Sequence, residues 1–250
     1  MKISKDVYLV GDGAIRLSSR YDCHIYLLDG GGETLLVDTG SGLEPELILR
    51  NIKEHGFEPK DITRVFVTHC HADHAGGCEA MKAETGCEVV APELEARLME
   101  GGSEQELGLD VTKAAGIYPP DYVYRHIRPD KRVKDGEVLK VGRYELKCIE
   151  VPGHNPGPAC LLVTGEGRRA LFSNDVVFMG GTIGLGNWPG SSLADYRKNI
   201  GKLAGLSVEE LYPGHFLWTL RGGQEHLDRA ISNLQQPFPP PNFSHNYPHF

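Results

Sequence analysis

Val65-Phe66-Val67-Thr68-His69-Cys70-His71-Ala72-Asp73-His74-Ala75-Gly76-Gly77 is the stretch from which the remainder of the chain can be read. Its first four residues are β-branched or aromatic and predict a buried strand. Gly76 and Gly77 close it, and a helical pattern follows. His69, His71, Asp73 and His74 thus fall where a strand ends and a helix begins. A strand end is rigid, and the turn after it can aim several side chains at one point. Imidazole nitrogen and carboxylate oxygen are ligands of zinc and similar first-row divalent ions. In an extended segment His69 and His71 share a face, and Cys70 takes the other as a buried apolar filler. Asp73 and His74 come after the turn and can address a second point. The spacing predicts two metals side by side.

Such a site cannot be closed by four residues, because each ion needs three or more protein ligands plus solvent. The motif His69-x-His71-x-Asp73-His74 resembles the signature of the metallo-β-lactamase superfamily. Three further candidates lie at predicted strand ends. His154 stands in Val-Pro-Gly-His-Asn-Pro-Gly-Pro after strand Tyr144–Val151. Asp175 stands in Leu-Phe-Ser-Asn-Asp after Ala170–Ser173. His215 stands in Leu-Tyr-Pro-Gly-His after Val208–Tyr212. Each is similar to a later motif of that superfamily, and Asp38 in Leu-Val-Asp-Thr-Gly is similar to its first. The resemblance runs in family order from residue 7 to about 234.

The resemblance implies an α+β chain folded as a four-layer αββα sandwich, a single domain over 1–236 with a Pro-rich tail at 237–250. It also implies a ligand set. His69, His71 and His154 would hold one ion, and Asp73, His74 and His215 a second. Asp175 would bridge the two, while Asp38 would order the loop beneath by hydrogen bonds. The cofactor implied is a pair of divalent ions, zinc first, with iron or manganese accepted by the same donors. Asp73 is the expected catalytic residue, steering a hydroxide shared by the ions and relaying a proton. The family often has glycine before the bridging aspartate. Asn174 stands there instead, and asparagine tolerates unusual backbone angles.

Within the superfamily the chain looks most like the glyoxalase-II-like branch, on His-x-His-x-Asp-His-Ala-Gly-Gly, Asp175 and Pro-Gly-His215. That branch cleaves thioesters or lactones. Glutathione specificity is not implied, since Arg221 and Arg229 are the only basic residues after His215. The alternative is a persulfide dioxygenase with one iron, which keeps the same seven-residue frame. A zinc β-lactamase of the cysteine-ligand type is disfavoured by Asp175, and a non-catalytic metal protein by the intact ligand set.

Composition agrees with an enzyme acting on a small molecule. The 250 residues are 40% apolar and 24% charged, with net charge −8. This balance argues against nucleic-acid and membrane partners and is compatible with a homo-oligomer. The start of the chain runs into a strand pattern without an apolar leader, and six cysteines show no CxxC spacing. Both give a cytoplasmic expectation with free thiols.

Elsewhere, strands are predicted at Val7–Val10, Cys23–Leu28, Thr34–Val37, Ile62–Thr68, Val89–Ala91 and Val138–Leu139. Helices are predicted from Leu43 to His55 (burying Leu43, Leu47, Ile48 and Ile52), Gly77–Thr85, Pro92–Met99, Leu193–Leu203 and Gly222–Leu234. Gly101–Arg132 is irregular, aromatic and basic in its second half, and is read as a lid-like insertion or a surface excursion. Trp188 and Trp218 are weaker candidates for a pocket wall. His24 and His226 are read as structural, His55 and His126 as exposed, and His245 and His249 as incidental.

Overall fold

Residues Met1–Val133 and Val141–Arg143 form one unit of the chain, and Lys134–Lys140 with the residues from Tyr144 onward form another. The computed structural model describes residues 1–243. His245 and His249 lie outside the described residues.

In the first unit, six strands make one sheet in the order of the chain: β1 (Val7–Gly11), β2 (Ile25–Asp29), β3 (Thr34–Val37), β4 (Ile62–Phe66), β5 (Glu88–Pro92) and β6 (Lys131–Val133). The first two pairings are antiparallel, with Gly31 and Gly32 at positive φ turning the β2–β3 hairpin. From β3 onward every pairing is parallel, so crossovers are required. They are supplied by α1 (Pro45–Glu54), α2 (Ala72–Ala75), α3 (Cys78–Thr85), α4 (Glu93–Gly101) and α5 (Leu109–Ala114). Parallelism brings the C-terminal ends of β3, β4 and β5 to one edge, and the loops leaving that edge carry Asp38, His69 and the start of α4.

Helix α1 begins at Pro45, not at Leu43. Proline disfavours helical angles at the residue before it, so Glu44 becomes the cap and Leu43 stays exposed. Of the predicted face, Ile48 and Ile52 are buried while Leu43 and Leu47 are not, and Asn51 joins the isoleucines. Asn51 is held there by donating to Val10 O and Leu17 O, each at 2.8 Å. Helix α3 ends at Gly86 in the left-handed conformation, as its sequence predicts. Strand β2 starts at Ile25 rather than Cys23, because Asp22, Cys23 and His24 are engaged by loops. The segment 101–132 contains α5, and its tyrosines Tyr118, Tyr122 and Tyr124 are buried in the same core as Val65, Ile48 and Met81. Tyr21, Tyr118 and Tyr122 stack in series, and Tyr122 Oη donates to Ser41 O at 2.7 Å.

In the second unit the sheet order is β13, β10, β9, β8, β7. These are β7 (Val138–Val141), β8 (Tyr144–Glu150), β9 (Ala159–Gly165), β10 (Arg168–Asn174) and β13 (Glu210–Pro213), with a small ribbon of β11 (Val177–Phe178) and β12 (Thr182–Ile183). β8, β9 and β10 pair antiparallel, while β13 joins β10 in parallel. α6 (Leu193–Asn199) and α7 (Gly223–Gln235) bury Tyr196, Leu227, Ala230 and Leu234 with Leu171 and Leu211. The predicted helix through Leu203 tightens to a 3₁₀ turn at Ile200, where Gly201 weakens helical continuation. Part of the Pro-rich tail is docked: Asn242 Nδ2 donates to Leu185 O at 2.6 Å, and Ile183 N–H donates to Pro241 O at 3.1 Å.

Candidate metal centre

The first unit gathers four of the predicted ligands. His69 and His71 come together off β4, with His69 Nε2 and His71 Nδ1 3.0 Å apart. Cys70, between them, is fully buried in the core as the alternation argument predicts. Asp73 and His74 lie in the single turn α2, with Asp73 Oδ2 3.5 Å from His74 Nε2. His69 and His74 are fully buried.

Asp38 organises this group. Its backbone sits at φ 63°, and its side chain turns under the metal loop. Thr68 donates its N–H at 2.8 Å and its hydroxyl at 2.9 Å to Asp38 Oδ1. The other oxygen, Oδ2, lies 2.8 Å from His74 Nδ1. A buried carboxylate is costly unless paired, and burial raises its pKa against the opposing pull of His74 and Thr68. The bond commits Nδ1 of His74 and leaves Nε2 as the ligand atom. Thr39 fixes the same turn: its N–H and hydroxyl both donate to His74 O, at 2.8 and 2.9 Å. A Cβ at Gly77 would collide with Thr39 O, which is why this position takes glycine. Cys23 Sγ also lies within 4.8 Å of Asp38 and His74 donor atoms. Burial pushes that thiol up to about 12, so it stays protonated at neutral pH.

Several residues of this unit were not singled out from sequence. Asp22 Oδ1 accepts from Ser41 N–H and Oγ–H, both at 2.7 Å, fixing the loop after Asp38. Glu95 accepts the Cys70 N–H at 2.9 Å. A signal for Glu95 was present: it lies four residues before buried Met99, on the inward face of a helix. His24 is structural as read, held between Asp12 Oδ2 at 3.1 Å and Tyr26 Oη at 2.9 Å. His55, expected to be exposed, is half-buried against Tyr8 and the chain's amino terminus. His126 is exposed.

The second unit gathers the other three. Asp175 Oδ2 lies 3.6 Å from His154 Nε2 and 3.5 Å from His215 Nε2. His154 Nδ1 is oriented by Gly184 O. Trp188 packs edge-on to the His154 ring and donates to its carbonyl at 2.9 Å, so it braces this ligand loop. Asn174 adopts φ 55°, the left-handed turn that the sequence allows it. His226 is structural, accepting Gly180 N–H at 3.1 Å.

Imidazoles and carboxylates at loop ends of mixed sheets define a metal-dependent class of protein. A family model described as the metallo-beta-lactamase superfamily matches residues 19–215. Acyl-coenzyme A thioesterase MBLAC2 of Gallus gallus is 29% identical over 246 residues, covering 90% of this chain and 84% of that protein. Hydroxyacylglutathione hydrolase of a Polaromonas species is 34% identical over 186 residues, covering 74% of this chain and 57% of that protein. A metallo-beta-lactamase of Cronobacter sakazakii, a HARLDQ-motif mutant, matches with TM-score 0.69 at 26% identity, covering 86% of this chain and 79% of that one. The chain belongs to the metallo-beta-lactamase superfamily, and its mixed sheets and helices are that superfamily's fold. Among the described residues, no helix is long and apolar enough to cross a membrane.

Proposed function

We propose that this chain is a metal-dependent hydrolase of small-molecule thioesters, with lactones and related esters as the neighbouring substrate class. The observation that carries the reading is the place of Asp175, one carboxylate oxygen reaching towards both His154 and His215. Those imidazoles are allotted to different ions, so a carboxylate that meets both suits a bridge. In this reading His69, His71 and His154 would hold one ion and Asp73, His74 and His215 the other, with Asp175 as the shared ligand. The donors are nitrogen and oxygen only, which fits zinc and also iron or manganese; zinc is the proposed ion. The thioesterase and hydrolase names of the sequence relatives support the choice of bond. The cytoplasm is the proposed location, in keeping with cysteines that are all free.

When bound, the ions supply Lewis acidity that makes water nucleophilic near neutral pH and polarises a carbonyl. The chain's own part is orientation and proton handling. Asp38 and Gly184 fix the tautomers and directions of His74 and His154. Asp73 is the group proposed to hold and return the proton as the thiolate leaves, because its carboxylate is partly open to solvent beside His74.

The test is metal analysis of the purified protein followed by assays of the zinc and ferrous forms. The substrates are an acyl-coenzyme A, an acylglutathione, a lactone, a β-lactam and glutathione persulfide. Thioester cleavage by the zinc form is expected. Oxygen uptake with persulfide on the iron form, with no ester or thioester cleavage on either, would replace the reading with the dioxygenase one.

A further inference from the structure

The buried acidic residues of the first unit include Asp6, Asp12 and Asp22, paired with Arg143, His24 and Ser41, and one glutamate that meets the metal loop from a helix. Glu95 is fully buried, in the first turn of α4, among Ala96, Met99 and the rest of the apolar core. A carboxylate at such a position is costly unless something specific is gained. What it meets is the N–H of Cys70, at 2.9 Å. That amide joins His69 to Cys70 and lies between two predicted ligands.

The topology explains how a helix residue reaches this point. β4 and β5 are parallel, paired through Phe66 and Val90. The ladder runs one step further, with Val67 N–H donating to Val90 O at 2.8 Å. Past it, the β4 chain becomes the loop of His69–His71 and the β5 chain becomes α4. Glu95 is therefore brought to the loop by the rigid start of a helix, not by another loop. The partial positive charge at a helix N-terminus favours a carboxylate in this first turn.

We propose that Glu95 is a positioning residue for the metal centre: its carboxylate clamps the Cys70 amide and so fixes the extended His69–Cys70–His71 segment that aims both imidazoles at one ion. Glu95 touches neither metal nor substrate. It acts through the backbone, which is why neither ligand spacing nor the motif reveals it. The inference rests on the ligand assignment proposed above for His69 and His71.

The experiment compares wild type, Glu95→Gln and Glu95→Asp, each checked for folding by thermal melting. Zinc affinity is measured by competition with a chromogenic chelator, and ligand geometry by the visible spectrum of the cobalt(II) form. Glu95→Gln keeps the shape but exchanges the carboxylate for an amide, and its zinc Kd is expected to rise about fivefold. Glu95→Asp withdraws the carboxylate from the amide, and a rise of about 10- to 100-fold is expected, the range seen when outer-shell partners are lost. Both variants should shift the cobalt spectrum and lower kcat with little change in KM. Wild-type zinc affinity and cobalt spectrum in either folded variant would overturn the proposal while leaving the hydrolase reading standing. A wild-type protein that binds no zinc or cobalt would overturn both.

Discussion

Replacing Asp38 by alanine would strip the acceptor from Thr68 and from His74 Nδ1 together. Breaking a buried, hydrogen-bonded pair of this kind costs about 3–5 kcal/mol. Urea denaturation of the metal-free protein should show that loss, and a zinc titration should show at least about tenfold weaker binding. Tyr124 offers the opposite case. Its hydroxyl is buried with no hydrogen-bond partner among the described residues. Tyr124→Phe should therefore keep or raise stability, by about 1 kcal/mol, when compared by the same denaturation. At this scale the sequence was readable where a residue's chemistry is rare in a short window. His69, His71, Asp73 and His74 announced themselves that way and Asp38 only through its likeness to a family motif, whereas Asp22, Ser41 and Glu95 did not. They are ordinary residue types that act on backbone groups 19 or 25 positions away, and only the folded chain creates those meetings.

At the level of elements, α1 depends on a polar residue in its buried face. Asn51→Ala would leave Val10 O and Leu17 O without their donor and should cost about 2–3 kcal/mol, read as a lower midpoint in urea. The periodicity of α1 found Ile48 and Ile52 but missed Asn51 between them, because a hydrophobic pattern does not register a side chain buried for its hydrogen bonds. The segment 101–132 needs a more careful test than deletion. Tyr118, Tyr122 and Tyr124 belong to the core, so removing them should destabilise the first unit. We propose that the exposed side chains of the same segment cover substrate. Val123→Ser and Arg125→Ala, both at exposed positions, should then change KM and leave zinc content and melting temperature alone. Unchanged KM across thioesters and lactones would remove the covering role. Strand ends shifted by a residue or two from their predicted places wherever a loop claimed the flanking residue, as at Cys23.

For the molecule as a whole, all six cysteines are buried and free. Burial pushes the thiols of Cys78 and Cys148 up to about 12, so little thiolate forms below that pH and nothing leads a reagent to it. Native protein at pH 8 should release less than about one equivalent of thionitrobenzoate over minutes, and all six thiols should react in denaturant. Chelation should abolish thioester cleavage, and zinc should restore it. A single equivalent that restores full activity would exclude a two-ion centre. The superfamily fold was legible because five motifs stand in family order along the chain, which no single spacing could convey. The grouping of strands was not, since β13 joins β10 rather than its neighbours in sequence, and no local pattern encodes a partner that distant.

The sheet of the first unit has one more consequence, for the order in which the protein is made. Its strands stack in the order of the chain, so a chain that folds while it is being made would offer each new strand an edge already formed. Strand β4 is laid against β3 before β5 exists, and Asp38 is waiting when His74 arrives. The amide clamp on Cys70 needs only 25 further residues. The His69–His74 group can thus be set during synthesis, whereas the last proposed ligand, His215, follows a strand that must find β10 across more than 30 intervening residues. An apo-protein with four of its seven proposed donors already in register is what the cell would have to protect from the wrong metal until translation ends.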